Sequence, residues 1–157
     1  LETVRVTQDA ADQRAGRAGR MMEGVCYRLW PTYLSLVPQR KPEILEADLA
    51  PLMLELAQWG VREIHELTWI TPPPTGAANQ AINLLHQLNA LHDGKITAQG
   101  KAMLQFPTHP RIAHLLTVAK DMNLSSLACD LAAVLEERDP LPRGSGADVM
   151  LRIETLR

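Results

Sequence analysis

The stretch that decides the fold is AANQAINLLHQLNALHDGKITAQGKAML, residues 77–104. Its first half predicts an amphipathic helix over residues 77–91, because apolar residues return once per helical turn while Asn83, Gln87 and Asn89 stay polar. The apolar positions of this helix are Ala78, Ile82, Leu85 and Leu88.

The second half of the stretch carries a tight-turn signal, His92-Asp93-Gly94-Lys95. An Asp-Gly pair favours the left-handed backbone of a two-residue hairpin turn, so Leu91 and Ile96 are expected to pair across it. Thr97 is then predicted to cap a further helix that runs through Leu104.

Prolines organise the sequence before this stretch. Pro42 suits the first position of a helix over residues 43–48, and Pro51 predicts a kink or a restart. An apolar stripe follows and ends at Gly60; it consists of Leu52, Met53, Leu56 and Trp59. Helix, connection, helix, proline-rich loop, helix and small hairpin are the order of a winged-helix module, which we place at residues 41–107.

Two more helices are predicted after that module, over residues 111–120 and 126–137. Their apolar residues are expected to form a helical core: Ile112, Leu115, Leu116, Ala119, Leu127, Leu131, Val134 and Leu135. Residues 139–146 contain two prolines and two glycines and predict a linker. Ser145 with Asp148 is interpreted as a capping box for a final helix.

The first 30 residues have the pattern of a small α/β element. Residues 1–7 and 24–30 alternate as strands do, and the second stretch is apolar on both faces, which predicts an interior strand. Between them, the alanine-rich stretch from Gln8 predicts a helix through Arg14 that loosens at the glycines that follow. The predicted fold class is therefore mainly α: a winged helix and a helical segment, preceded by a small α/β remnant.

The composition is that of a globular protein, with 46% hydrophobic and 22% charged residues among 157. A net charge of −2 argues against binding nucleic acid through overall basicity, so such contacts are expected to be local. Two cysteines are too few for a disulfide framework, which favours a cytoplasmic protein with Cys26 buried in its strand. No apolar run reaches the roughly 20 residues of a membrane helix, so no membrane partner is expected. Because the first residue is Leu1, we expect the chain to be an excerpt of a longer polypeptide.

The most informative string for function is Gln13-Arg14-Ala15-Gly16-Arg17-Ala18-Gly19-Arg20. In a nearly helical backbone, Gln13, Arg17 and Arg20 fall at i, i+4 and i+7, which directs one amide and two guanidinium groups to one place. Guanidinium forks fit phosphate oxygens and stabilise charge in phosphoryl transfer. Gln13 is expected to orient the attacking water, while Arg14 lies off that face. A solvated arginine-rich turn is the alternative interpretation.

This string resembles the sixth motif of the DEAH-box and related superfamily 2 helicases. The continuation is similar to the bacterial HrpB-type branch, in particular at residues 24–30, at Pro42-Glu43-Ile44-Leu45 and at Leu135-Glu136-Glu137-Arg138-Asp139-Pro140-Leu141. In that family the glutamine and the last two arginines of the motif face the γ-phosphate of ATP between two RecA-like domains. The resemblance therefore implies catalytic and ATP-binding roles for Gln13, Arg17 and Arg20.

The resemblance also implies a domain order. Residues 1–40 would end the second RecA-like domain, residues 41–107 would form the winged helix, and residues 108–157 would begin the ratchet domain. The cofactors implied for the full-length enzyme are ATP and Mg²⁺. The implied partners are the missing RecA-like domains and a single nucleic-acid strand, RNA rather than DNA, along which the helicase moves 3′ to 5′.

Two ATP-binding motifs are missing from this sequence: the GxxxxGK[ST] phosphate loop and a DEAH or DExH tetrapeptide. Since an ATP site of this kind needs both of its walls, the isolated chain is expected to bind no cofactor and to be inactive.

Nucleic-acid contacts are expected at the start of the ratchet segment, where His109, Arg111 and His114 are polar or basic at a helix entrance. An ordinary capped helix start is the alternative for these three residues. Lys95 and Lys101 near the hairpin could likewise contact phosphate, or could simply be solvated.

Other candidate residues have structural interpretations. His65, His86 and His92 do not have the spacing of a metal site, and no metal is predicted. Trp30 and Trp69 could stack on bases, whereas Trp59 lies on the apolar stripe and is expected in the core.

A second function remains open from the sequence: a free-standing winged-helix module that binds nucleic acid or a protein without catalysis. A duplex-reading helix should be basic, but residues 77–91 contain no Lys or Arg, which weakens this alternative.

Overall fold

The computed structural model describes residues 4–142 and 144–157, and the chain divides into two compact units, Leu1–Glu46 and Ala47–Arg157. The described part of the first unit contains helix α1 (Gln8–Ala18) and a 3-10 turn at Glu43–Leu45. This short turn replaces the longer helix predicted up to Asp48.

The start of α1 is capped by backbone rather than by a side chain. Gln8 donates its N–H to the carbonyl of Val37 at 2.9 Å, and Asp9 donates to the carbonyl of Pro38 at 3.1 Å. Thr7 precedes the helix, but its side chain makes no capping hydrogen bond. The chain that returns at residues 37–38 therefore satisfies donors that a helix start otherwise leaves free.

The predicted strands are absent from the described part of the first unit. Residues 1–3 lie outside the described residues, whereas residues 4–7 and 24–30 have no strand partner. The predicted interior strand is wrong: Val25, Tyr27 and Leu29 are 74%, 83% and 93% exposed, and Cys26 is exposed rather than buried. A strand is stable only beside other strands or against a packed face.

The described part of the second unit consists of helices and one small hairpin, so the predicted mainly α fold class is confirmed. Its elements are α2 (Ala50–Gln58), a 3-10 turn (Ile64–Glu66), α3 (Thr75–Gln87), β1 (Leu91–His92), β2 (Lys95–Ile96), α4 (Ala98–Met103), α5 (Pro110–Asp121), α6 (Ser125–Glu136) and α7 (Val149–Leu156).

Helix packing makes these elements one continuous body. Helix α2 contacts α3, β2 and α5; α5 also packs against α4 and α6, and α6 packs against α7. The largest fully buried side chains are Leu85, Met103, Pro110 and Ile153. Since they come from four different helices, the hydrophobic core runs through the whole unit.

Three helices of this unit end in the same way, with one residue in the left-handed conformation. Gly60, Asn89 and Asn123 have φ of 89°, 53° and 59°. After each of them, the next N–H donates back to a carbonyl five residues earlier, for example from Ala90 to Leu85 at 2.8 Å. Glycine and asparagine tolerate this backbone best, which explains why they stand at these ends.

The hairpin forms as predicted from its turn residues. Leu91 pairs with Ile96, and the turn residues Asp93 and Gly94 have φ of 47° and 69°, as a type I′ turn requires. Thr97 then caps α4, because its Oγ1 accepts from the N–H of Gly100 at 3.0 Å.

The apolar face of α2 differs from the predicted one. Leu54 and Ala57 are buried, whereas Trp59 is 75% exposed, so its predicted place in the core is wrong. Leu135 at the end of α6 is also exposed rather than buried. The predicted Ser145 cap is replaced by Asp148, whose carboxylate accepts from the N–H of Met150 at 2.9 Å.

Candidate functional site

The Gln13–Arg20 string spans the end of α1 and the bend after it. Gln13 and Arg17 lie one turn apart on the helix, which continues to Ala18 instead of loosening after Arg14. The helix ends at Gly19, with φ of −105° and ψ of 20°, and Arg20 follows in a bend. The direction of Arg20 is therefore set by the turn and not by helical spacing.

The polar side chains of this string face solvent. Gln13, Arg14, Arg17 and Arg20 are all exposed. Among the described residues, none of the three arginines forms an ion pair within 4.0 Å. Arg17 and Arg20, which the sequence assigns to phosphate binding, therefore form no ion pair with a carboxylate of the described residues.

A neighbouring arginine is used differently. Arg28, in the segment after the bend, forms an ion pair with Asp12 on α1, and both oxygens of that carboxylate also accept from Gln8 at 2.9 Å. These hydrogen bonds, from Gln8 first and Arg28 second, lower the pKa of the Asp12 carboxyl below its usual range. Periodicity could not reveal this pair, because its members lie 16 positions apart.

His109 is held inside the second unit by two contacts. Its Nε2 lies 3.2 Å from Oδ2 of Asp48, and its Nδ1 accepts from the N–H of Arg111 at 3.2 Å. The ring therefore caps α5 and connects it to the start of α2. These contacts use both ring nitrogens, which favours the capped-helix interpretation of His109.

The other predicted nucleic-acid residues have different surroundings. Arg111 is exposed, whereas His114 is half-buried and its Nδ1 has no hydrogen-bond partner among the described residues. Lys95 and Lys101 are both exposed. The structure therefore gives Arg111, Lys95 and Lys101 free access to solvent.

Two of the concave surfaces in the second unit lie beside His109, Arg111 and His114. A cavity of about 810 Å³ is lined by α2, the loop before α5, and residues that include Glu55, His109 and Glu136. A smaller apolar groove of about 290 Å³ lies between α5 and α6, with Arg111 and His114 at its polar edge.

The two tryptophans of the described second unit have different surroundings. Trp69 is half-buried and donates from Nε1 to the carbonyl of Ile64 at 2.7 Å, while Trp59 is exposed. In the first unit, Trp30 is half-buried.

In the ranges 4–142 and 144–157, no group of three or more His, Cys, Asp or Glu residues could hold a metal ion. No helix in those ranges combines the length and hydropathy needed to cross a membrane.

The sequence is similar to known helicases. The winged-helix helicase-associated domain family (HA2) matches residues 81–108. The chain is 37% identical to the ATP-dependent RNA helicase HrpB of Escherichia coli (strain K12), over 95% of this chain and 18% of the relative. It is 35% identical to the probable ATP-dependent RNA helicase DHR2 of Saccharomyces cerevisiae (strain ATCC 204508 / S288c), over 86% of this chain and 19% of the relative.

Solved structures give the same result. The crystal structure of E. coli DExH-box NTPase HrpB matches with a TM-score of 0.71 and 37% identity, over 98% of this chain and 19% of that one. The structure of Escherichia coli DEAH/RHA helicase HrpB matches with a TM-score of 0.74 and 36% identity, over 96% and 19%. The chain thus spans about a fifth of the length of these relatives. The predicted resemblance is confirmed: over nearly its whole length, this chain is similar to one segment of the HrpB-type DEAH-box helicases.

Proposed function

We propose that this chain is a segment of an ATP-dependent RNA helicase and carries the arginine residues that act on the γ-phosphate. Gln13, Arg17 and Arg20 would face ATP bound between two RecA-like domains, of which residues 1–40 form the end of the second. The observation that carries the proposal is that Arg17 and Arg20, in a helicase motif, are exposed and free of ion pairs among the described residues.

Each side chain has a distinct part in this proposal. The guanidinium forks of Arg17 and Arg20 would donate to oxygens of the transferring phosphoryl group, whose negative charge spreads during the reaction. Gln13 would hold the attacking water through its amide. Held in place before the reaction begins, these donors would stabilise the transition state without the cost of reorienting solvent.

The second half of the ATP site belongs to other domains in this proposal. The phosphate loop and DExH box are not in the sequence, and no three-residue metal set occurs among the described residues. We therefore place the ligands of Mg²⁺, which would screen the phosphate charge, outside this chain. Alone, the chain is expected not to hydrolyse ATP.

Residues 41–157 would bind the nucleic-acid strand. The winged helix at residues 41–107 and the helical segment at 108–157 would close over single-stranded RNA, which hydrolysis moves 3′ to 5′ in the cytoplasm. RNA is favoured over DNA because the similar proteins are described as RNA helicases. Arg111 is the strongest contact candidate, since it is exposed while His109 is engaged by Asp48 and His114 is half-buried.

The test is RNA-stimulated, magnesium-dependent ATP hydrolysis by the full-length helicase that contains this chain. Arg20→Ala and Arg17→Ala are each expected to lower kcat by roughly 10³-fold or more, with a smaller change in KM. Arg14→Ala is the matched control, because Arg14 is an exposed arginine of the same helix on another face. Unchanged kcat in Arg20→Ala would refute the proposed role.

A further inference from the structure

The bend that carries Arg20 is followed by a segment that contacts α1 at two places. The chain leaves α1 at Gly19, turns through residues 20–23 and comes back at Gly24. A Cβ on Gly24 would overlap the carbonyl oxygen of Ala18, so the returning backbone touches the last residue of the helix. Only glycine fits this close approach.

Four residues after Gly24, the returning segment contacts α1 a second time. Arg28 pairs with Asp12, which lies six positions before the end of α1. The segment therefore runs back along the helix toward its N-terminus, held at one end by a backbone contact and at the other by an ion pair.

We propose that Gly24 and the Arg28–Asp12 ion pair form a brace that positions Arg20 for its role at the γ-phosphate. The brace consists of Gly24, Arg28 and Asp12, and Gln8 supports its carboxylate. This inference rests on the proposed function of Arg20. Arg28 and Asp12 are positioning residues, since neither is assigned a contact with the nucleotide.

The physical reason for a brace is that Arg20 lies outside the regular helix. Its backbone is not fixed by helical hydrogen bonds, so the short turn can move unless both of its ends are held. A displacement of about 1 Å at a catalytic group costs up to about 10²-fold in rate. A weak surface ion pair can therefore matter more for kcat than for overall stability.

Pairing with Asp12 also keeps the Arg28 guanidinium from binding phosphate directly. This guanidinium is only half-exposed and is engaged by Asp12, unlike those of Arg17 and Arg20. If Arg28 instead contacted phosphate directly, Asp12 would be dispensable. The two members of the pair therefore distinguish a brace from an additional phosphate ligand.

The experiment compares Asp12→Ala, Arg28→Ala and the charge-swapped double variant, Asp12→Arg with Arg28→Asp, in the full-length helicase. We expect each single variant to lower kcat of RNA-stimulated ATP hydrolysis by roughly 10-fold to 100-fold, with KM for ATP nearly unchanged. The double variant should recover most of kcat. Gly24→Ala should lower kcat in the same way, since its new Cβ must displace the turn.

Lys41→Ala is the matched control, because Lys41 forms an exposed ion pair with Glu46 at 3.6 Å in the same unit. Wild-type kcat in Asp12→Ala overturns the brace, as does a loss that the charge swap fails to restore. If Arg28→Ala does not fold, the loss of kcat in Asp12→Ala and its recovery in the double variant still test the brace. Arg20→Ala, measured in parallel, separates the two proposals: full activity there rejects the proposed function itself, not only the brace.

Discussion

The Nε2 atom of His109, the N-cap residue of α5, lies 3.2 Å from Oδ2 of Asp48, two residues before α2. The other oxygen of Asp48 accepts from the N–H of Ala50 at 2.8 Å. Because Nδ1 of His109 accepts from Arg111, the neutral ring with its proton on Nε2 satisfies both contacts. One histidine thus connects two segments that the sequence assigns to different domains.

This connection predicts a pH dependence of stability. The hydrogen bond from Ala50, followed by that from His109, keeps the pKa of Asp48 below its ordinary value of 3.8. A lowered folded-state pKa means that the stabilisation is fully present above pH 3.8 and is lost as the pH falls through the folded value. Asp48→Asn should cost about 1 kcal/mol or less at pH 7, because the pair is partly exposed and screened.

The measurement is urea unfolding of wild type and Asp48→Asn at pH 7 and at successively lower pH. The difference in unfolding free energy should shrink below pH 3.8. Glu63→Gln is the control, since Glu63 is exposed and has no ion pair among the described residues. A difference that stays constant with pH would contradict the assigned role of the Asp48 charge.

Glycine at position 100 is predicted to be essential for packing. A Cβ there would overlap the carbonyl oxygen of Ala90 and lie 2.7 Å from Cγ1 of Ile96, so α4 and the hairpin would have to separate. Gly100→Ala should destabilise the chain by about 1–3 kcal/mol or more. Gly76→Ala is the matched control in α3, where no atom lies within 4 Å, and it should stabilise by roughly 0.5 kcal/mol. Equal effects of the two substitutions in thermal unfolding would refute this packing argument.

Local signals explain which parts of the fold the sequence predicts well. Asp93-Gly94 and Thr97 determine a turn and a cap through their own backbone and side-chain chemistry, and both form as predicted. The predicted bounds of α5 and α6 are each wrong by one residue at either end. Apolar periodicity and turn residues act within a few positions. The residues that determine these helices, turns and caps are therefore close neighbours in sequence.

The features that the sequence did not predict depend on distant partners. Residues 24–30 have a strand pattern, but a strand needs adjacent strands, and none pairs with them in the described first unit. Trp59 fits the apolar period of α2, but the helix ends at Gln58, and Leu54 and Ala57 are buried instead. The pairing of Arg28 with Asp12 arises from the path of the chain, which no local pattern encodes.

The two tryptophans of the second unit should differ in their contributions to stability. Trp69 is half-buried and its Nε1 donates to the carbonyl of Ile64 at 2.7 Å, whereas Trp59 is 75% exposed. Trp69→Ala removes buried area and leaves that carbonyl without its donor, at a cost of about 1–3 kcal/mol. Trp59→Ala should change stability by less than about 0.5 kcal/mol. Far-UV circular dichroism during urea unfolding tests both; a larger loss in Trp59→Ala would contradict the assignment.

Arg152 is predicted to contribute far more to the stability of the last helix, α7, and the loop before it than Arg157 does. Its guanidinium donates to the Asp139 carboxylate at 2.6 Å and to the carbonyls of Asp148 and Gly146 at 2.8 Å and 2.9 Å. Its side chain is only 13% exposed, so water cannot easily replace these partners. The hydrogen bond from Arg152 is also the main reason that the pKa of Asp139 is lowered.

Arg157 provides the matched comparison, because it too pairs with one carboxylate, that of Asp130, but its side chain is 57% exposed. Arg152→Ala should lower Tm by on the order of 5 °C, while Arg157→Ala should lower it by roughly 2 °C or less. Arg152→Lys should recover little, because a single ammonium group cannot reach one carboxylate and two carbonyls in the geometry of the guanidinium fork. Full recovery by lysine would show that charge alone matters at this position, and would refute the role assigned to the directed hydrogen bonds.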